Sequence, residues 1–224
     1  MPPLVQSYSE LETIVPGLDT DPTHINPGGP IPLYFDDVYG GGVTTMTLVG
    51  TRFAAGLSKR VVTLPSGVSQ FTFTYKIKPS ALASVYAQVY ENDLMFVDSK
   101  GNRFNGSVRK NNDLGGVWQI VNAAGQWVAV FKAGLFPTEV WTTVTIVFKI
   151  NWTALTIAVI SITDGTQKTF VIANPMNNPA IQDDPLWDPN IIDWQSQGTM
   201  NENVPEGVIA SYTQEMMGVC VYGQ

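Results

Sequence analysis

Side chains alternate along residues 84–97, and this places residues able to do chemistry on the two faces of one expected strand. Tyr86, Gln88, Tyr90 and Asn92 fall on one face; Val85, Ala87 and Val89 fall on the other. Sugars stack the apolar C–H side of their rings on aromatic side chains and offer their hydroxyls to amides. An aromatic–amide row supplies both contacts. Trp118 and Trp127, from the following hairpin, extend this candidate ligand-binding surface. Glu91 and Asp93 are in phase with Ala87 and Val89, away from the Tyr/Gln face, and are the candidates for carboxylate chemistry. A retaining glycosidase needs two carboxyl groups about 5 Å apart, one of them protonated.

A second kind of chemistry comes from the charge distribution. The 224 residues include 19 acids and 12 bases, and no base precedes Arg52 or follows Lys168. Such ends are poor partners for nucleic acid, which needs clustered cations. They are better suited to a cation. Calcium takes six to eight oxygens from acidic turns and loop carbonyls. In a sandwich the first and last strands are usually neighbours, so the two acidic segments would meet and a bridging ion would relieve their repulsion. Asp19, Asp21, Asp36, Asp37, Asp183 and Asp184 are the candidate ligands of a structural calcium ion. None of them matches an EF-hand loop.

Other chemistries have little to draw on. Cys220 is the only cysteine, so no intrachain disulfide can form, and its apolar surroundings read as core packing. His24, the only histidine, lies in a Pro-rich turn. No P-loop, dinucleotide fingerprint, zinc spacing or Gly-x-Ser-x-Gly elbow is present. No run of 18 apolar residues suggests membrane insertion. The start, Met1 to Gln6, lacks the charged and apolar regions of a leader peptide. With charged residues at 14%, solubility rests on Thr, Asn, Gln, Ser and Gly, a composition common in secreted β proteins. The expected location is extracellular or periplasmic with a leader missing from this sequence, and a cytoplasmic one stays open.

The elements that must position these residues are strands. Phe71, Phe73, Tyr75 and Ile77 alternate with Thr72, Thr74, Lys76 and Lys78, up to Pro79. Val144, Ile146, Phe148 and Ile150 alternate with Thr143, Thr145 and Lys149. Turns are expected at 98–102, 122–125 and 164–165, where Gly or Asn takes the special backbone conformation. A final strand or pair covers 207–222. Fifteen prolines and 20 glycines leave no window for a long helix. Residues 1–45 read as a turn-rich N-terminal segment and 174–205 as a long loop excursion. The whole chain, 1–224, reads as one antiparallel two-sheet β-sandwich domain, all-β, with jelly-roll topology.

The stretch from Trp141 to Trp152, followed by Leu155 to Ile162 and Asp164-Gly165, resembles the late strands of concanavalin A-like lectin/glucanase (laminin-G-like) sandwiches. Phe71 to Lys78, Val85 to Phe96 and Asp98 to Asn102 resemble the middle of that fold. The resemblance covers about residues 60–173 and implies a jelly roll of concanavalin A-like type. Laminarinase-type glucanases of that superfamily carry Glu-x-Asp-x-x-Glu. Here Glu91 and Asp93 match the first two carboxylates, and Phe96 stands where the third would be, so no catalytic residue carries over. Ala87-Gln88-Val89-Tyr90 and Val130-Phe131-Lys132-Ala133-Gly134 are similar to two signatures of alginate-lyase-type jelly rolls. Tyr90 replaces their His, and the second segment comes too early in the chain.

Together these readings favour a non-catalytic, lectin-like module whose partner is a polysaccharide or glycan. Two other classes remain: a polysaccharide lyase or glycoside hydrolase on the same fold, and a structural or adhesion subunit. Close carboxylates in a groove would mark the enzyme, and a broad apolar surface patch would mark the subunit.

Overall fold

The expected alternation is what builds the sheets. In the computed structural model Phe71, Phe73, Tyr75 and Ile77 are buried, as are Val144, Ile146, Phe148 and Ile150, while Thr143 and Lys149 are exposed. The structure describes residues 5–6, 11–12, 33–34, 43–49, 54–61, 68–165, 168–173, 175–182, 192–201, 204–205 and 207–223.

In chain order the first elements are β1 (Val5–Gln6), β2 (Leu11–Glu12), β3 (Leu33–Tyr34), β4 (Val43–Val49), β5 (Ala54–Val61) and β6 (Val68–Pro79). The helix α1 (Ala81–Tyr86) precedes β7 (Ala87–Val97), β8 (Asn102–Asn111), β9 (Val117–Val121) and β10 (Trp127–Lys132). Then come β11 (Thr142–Asn151), β12 (Thr156–Asp164), β13 (Lys168–Val171), β14 (Asn178–Pro179) and β15 (Ile181–Gln182). The last two are β16 (Ile192–Met200) and β17 (Ile209–Gly223).

A nine-stranded sheet runs β13-β12-β11-β6-β17-β4-β3, with β1 on β17 and β14 on β12. An eight-stranded sheet runs β10-β9-β8-β7-β16-β5-β2, with β15 on β8. Every pairing is antiparallel. The successive pairs β4–β5, β6–β7 and β16–β17 each cross from one sheet to the other. The last is interleaved between the first two, with β17 between β6 and β4 and β16 between β7 and β5. That wrapping defines a jelly roll. The fold is the all-β antiparallel two-sheet sandwich with jelly-roll topology that the sequence suggested.

Two local expectations are corrected. The strand expected over 84–97 begins only at Ala87, because Ser80 caps a helix: its Oγ accepts from the Ala83 N–H at 3.1 Å. Ala81, Leu82 and Ala83 are good helix formers, and α1 lasts six residues. The excursion at 174–205 contains β16, a nine-residue strand inside the eight-stranded sheet. The segment 1–45 contributes the short strands β1, β2 and β3 to the two sheets.

The core lies between the sheets and is largely aromatic. Phe73 meets Phe148 edge to face at 5.9 Å, and Phe96 stacks on Phe104 at 6.0 Å. A small number of polar pairs cross the same space. Ser196 Oγ donates to Gln214 Oε1 at 2.7 Å, and Asn92 Nδ2 donates to the Tyr75 hydroxyl at 3.0 Å.

Candidate functional site

The pleat decides which residues of the eight-stranded sheet can meet a ligand. In β8, Phe104, Gly106, Val108 and Lys110 are buried between the sheets, whereas Arg103, Asn105, Ser107, Arg109 and Asn111 alternate outward. In β7 the inward set is Tyr90, Asn92, Leu94 and Phe96.

This corrects the expected Tyr/Gln face. Tyr90 is in the core, edge-on to Tyr212 at 5.2 Å, with its hydroxyl donating to the Ala83 carbonyl at 3.5 Å. Burial raises the phenol pKa of both Tyr90 and Tyr75 well above the usual value. Asn92 is fully buried against Tyr75. Trp118 is also fully buried, and its indole N–H donates to Asp164 Oδ2 at 2.6 Å. Tyr86 ends α1 and packs partly buried against the core, and Gln88 is half-buried. Tyr90 and Asn92 therefore face the opposite sheet, and the Tyr90 hydroxyl, the Asn92 amide nitrogen and the Trp118 indole nitrogen find partners inside the protein.

Trp127 has the opposite placement. It is half-buried on β10, and the Arg109 guanidinium lies over its ring, 4.2 Å from the centroid. Arg109 Nε donates to Gln119 Oε1 at 2.8 Å, and Asn111 Nδ2 reaches the same oxygen at 3.3 Å. The strand register continues this polar row into β7 and β16: Glu91 pairs with Arg109 on one side and Gln197 on the other. Asp93 pairs with Ser107 and Gln195.

Glu91 and Asp93 thus share the outer face with Trp127, in phase with Val89 as the alternation suggested. Glu91 is buried. Burial pushes the Asp93 carboxyl up to about 6, against a smaller opposing effect of its hydrogen bond to Ser107. Phe96, at the place of the third carboxylate, is buried in the core. The face therefore carries one aromatic platform, a guanidinium, several amides and two carboxylates, with Glu91 and Gln119 buried and Trp127, Arg109, Asn111, Ser107 and Asp93 half-buried.

Arg109, Gln119, Asn111, Ser107 and Gln197 were not singled out from the sequence. The period-2 polar set Arg103, Asn105, Ser107, Arg109 and Asn111 was the available signal. Buried Asn102 and Lys110 on the alternate face obscured it.

Asp19, Asp21, Asp36, Asp37, Asp183 and Asp184, the expected calcium ligands, lie outside the described residues, as does His24. Among the described residues no cluster of three or more His, Cys, Asp or Glu side chains is placed to hold a metal. No described helix is long and apolar enough to cross a membrane.

No protein-family model matches the chain. No curated protein matches its sequence. Solved structures are similar at low identity. An alginate lyase variant in complex with an alginate trisaccharide is 11% identical, with 86% of this chain and 84% of that chain covered and a TM-score of 0.49. The marine alginate lyase from Aplysia kurodai is 9% identical over 87% of each chain, with a TM-score of 0.48. Peanut lectin with a bound peptide is 10% identical over 86% of this chain and 98% of its own, with a TM-score of 0.43. At these identities the likeness concerns fold alone.

Proposed function

We propose that the outer face of the eight-stranded sheet is a lectin-like surface that binds a polysaccharide. The observation that carries this reading is the Arg109–Trp127 stack, because it fixes an aromatic platform beside a row of amides and carboxylates. A sugar ring stacks on the indole while its hydroxyls are met by Asn111 and by the half-buried Asp93 and Ser107 further along the row. The reading sets the protein's work where polysaccharides are met, outside the cytoplasm.

Titration calorimetry with a neutral β-glucan and with alginate tests it. Trp127→Ala should weaken binding of the preferred polymer about 5- to 10-fold, the scale of one lost aromatic contact, with the melting temperature little changed. Unchanged affinity in a folded variant would put the site elsewhere.

A second reading, an enzyme acting on the same polymer, is favoured by one feature. Asp93 holds a proton up to about pH 6 on the face that also carries Glu91. A carboxyl acid with a raised pKa near a second carboxylate is the pairing that glycoside cleavage uses. New reducing ends, or ultraviolet absorbance from a new carbon–carbon double bond, would reveal turnover. Asp93→Asn should then abolish turnover and leave binding in place. A wild-type chain that binds without producing either signal is a binding module.

A further inference from the structure

A separate concavity opens at the far end of β10 from Trp127, five residues along the strand, or about 16 Å at the rise of an extended chain. It has a volume of about 420 Å³ and lies where β10 and β13, the edge strands of the two sheets, come together. Its walls are mainly apolar, with Leu135, Pro137, Val140, Trp141 and Phe170 among them. Leu135, Val140 and Trp141 are 49%, 52% and 40% exposed, so this apolar surface meets solvent.

Two of the walls are aromatic rings that each have a neighbour against them. Phe170 stacks on Phe131 with ring centroids 3.7 Å apart, and the Lys78 ammonium lies 5.3 Å from the Trp141 ring centroid. Rings fixed in advance lose little freedom when a ligand docks. The polar groups set the sign of the ligand. Asp164 lines the pocket, but its Oδ2 already accepts from both Lys110 and Trp118, so this carboxylate is neutralised from within. Lys132 lies over Gly115, so close that a Cβ on that glycine would be 2.8 Å from Nζ. No carboxylate among the described residues pairs with Lys132. The volume falls in the range of small-molecule sites, which combine apolar walls with a few placed polar groups.

We propose that this pocket binds a small planar hydrophobic anion, its ring against Trp141 and Phe170 and its carboxylate or sulfonate on Lys132. This does not depend on the polysaccharide reading, which uses Trp127 and Arg109.

Two fluorescent probes of similar shape test it on the full chain: anionic anilinonaphthalene sulfonate and uncharged phenylnaphthylamine. The sulfonate should bind saturably at one site, about tenfold more tightly than the amine, as expected for one charge-assisted contact at a rim. Lys132→Met should remove that preference and leave the amine's affinity unchanged. Trp141→Ala should weaken both probes. Val140→Asp, which adds a negative charge at an exposed position, should exclude the sulfonate selectively and serves as an independent variant. Trp127→Ala should change neither probe, so failure here is distinct from failure of the polysaccharide site. Sulfonate binding that survives both Lys132→Met and Trp141→Ala, or no saturable binding by the folded chain, would overturn the proposal.

Discussion

Lys110 Nζ lies 2.6 Å from Asp164 Oδ2, joining the eight-stranded sheet to the nine-stranded one through the interior. Lys110 is 1% exposed. Its ammonium also sits 3.6 Å from the centroid of the Phe136 ring, while Trp118 donates to the same Asp164 oxygen. Burial pushes the lysine pKa down, and Asp164 pulls it partly back up. A buried ion pair of this kind gains little over an apolar pair of the same volume, but removing one partner leaves a charge behind.

Lys110→Met should therefore cost about 3 kcal/mol, and Lys110→Met with Asp164→Asn should cost clearly less than the sum of the two single changes. Urea denaturation of the four chains gives the coupling. Additive effects would mean that the two groups do not depend on each other.

Much of the fold was legible because its strands obey a simple rule. β6 alternates apolar and polar from Phe71 to Lys78, β11 does so from Val144 to Asn151 except at Val147, and both strands have the expected phase. β16 was not legible, for a reason visible in its neighbours. Its inward residues include Ser196, paired with Gln214, and Gly198, where a Cβ would lie 2.4 Å from the Tyr212 ring. A strand whose core face reads Ser-x-Gly shows no apolar period. The Tyr/Gln row misled for a related reason: Asn92 is polar but buried, because Tyr75 reaches it from the opposite sheet. Local alternation cannot register a partner that folding brings from elsewhere in the chain.

Close approach of the sheets makes another position sensitive. A Cβ at Gly106 would lie 2.8 Å from one Phe148 ring carbon and 2.9 Å from another, with Phe148 fully buried. Gly106→Ala should destabilise the protein by about 1–3 kcal/mol through overpacking. Phe148→Leu, which removes the ring, should recover part of that loss when combined with it. Melting temperatures of the double variant no better than additive would show that the alanine is tolerated by movement elsewhere.

The pH dependence of stability should carry the mark of Asp93. Its pKa in the folded chain is raised from 3.8 to about 6. Between those values the folded chain keeps a proton that the unfolded chain releases. Stability therefore falls as pH rises through that window, and stays lower above it. The loss is on the order of 2 kcal/mol, allowing for the residue's partial exposure. Asp93→Asn cannot ionise, so it should be more stable than the parent at about pH 7 and similar to it at about pH 4. Equal urea midpoints at both pH values would mean that the carboxylate is better solvated than its position implies.

The geometry of Arg109 gives the sharpest test of the outer face. Its guanidinium lies over Trp127, 4.2 Å from the ring centroid, while its Nε donates to Gln119, so one side chain contacts both the ring and the amide. Lysine preserves the charge but has neither the planar group that stacks nor the fork that bonds in a fixed direction. If the site works by pre-positioned stacking, Arg109→Lys should weaken polysaccharide binding about as much as Trp127→Ala. Combining the two changes should add little, because each disables the same platform. If only the positive charge matters, Arg109→Lys should bind like the parent, and binding should fall steeply with salt. Calorimetric titrations of the two single variants and the double variant at low and high salt separate these outcomes. Near-ultraviolet circular dichroism reports directly whether the indole has lost its fixed environment.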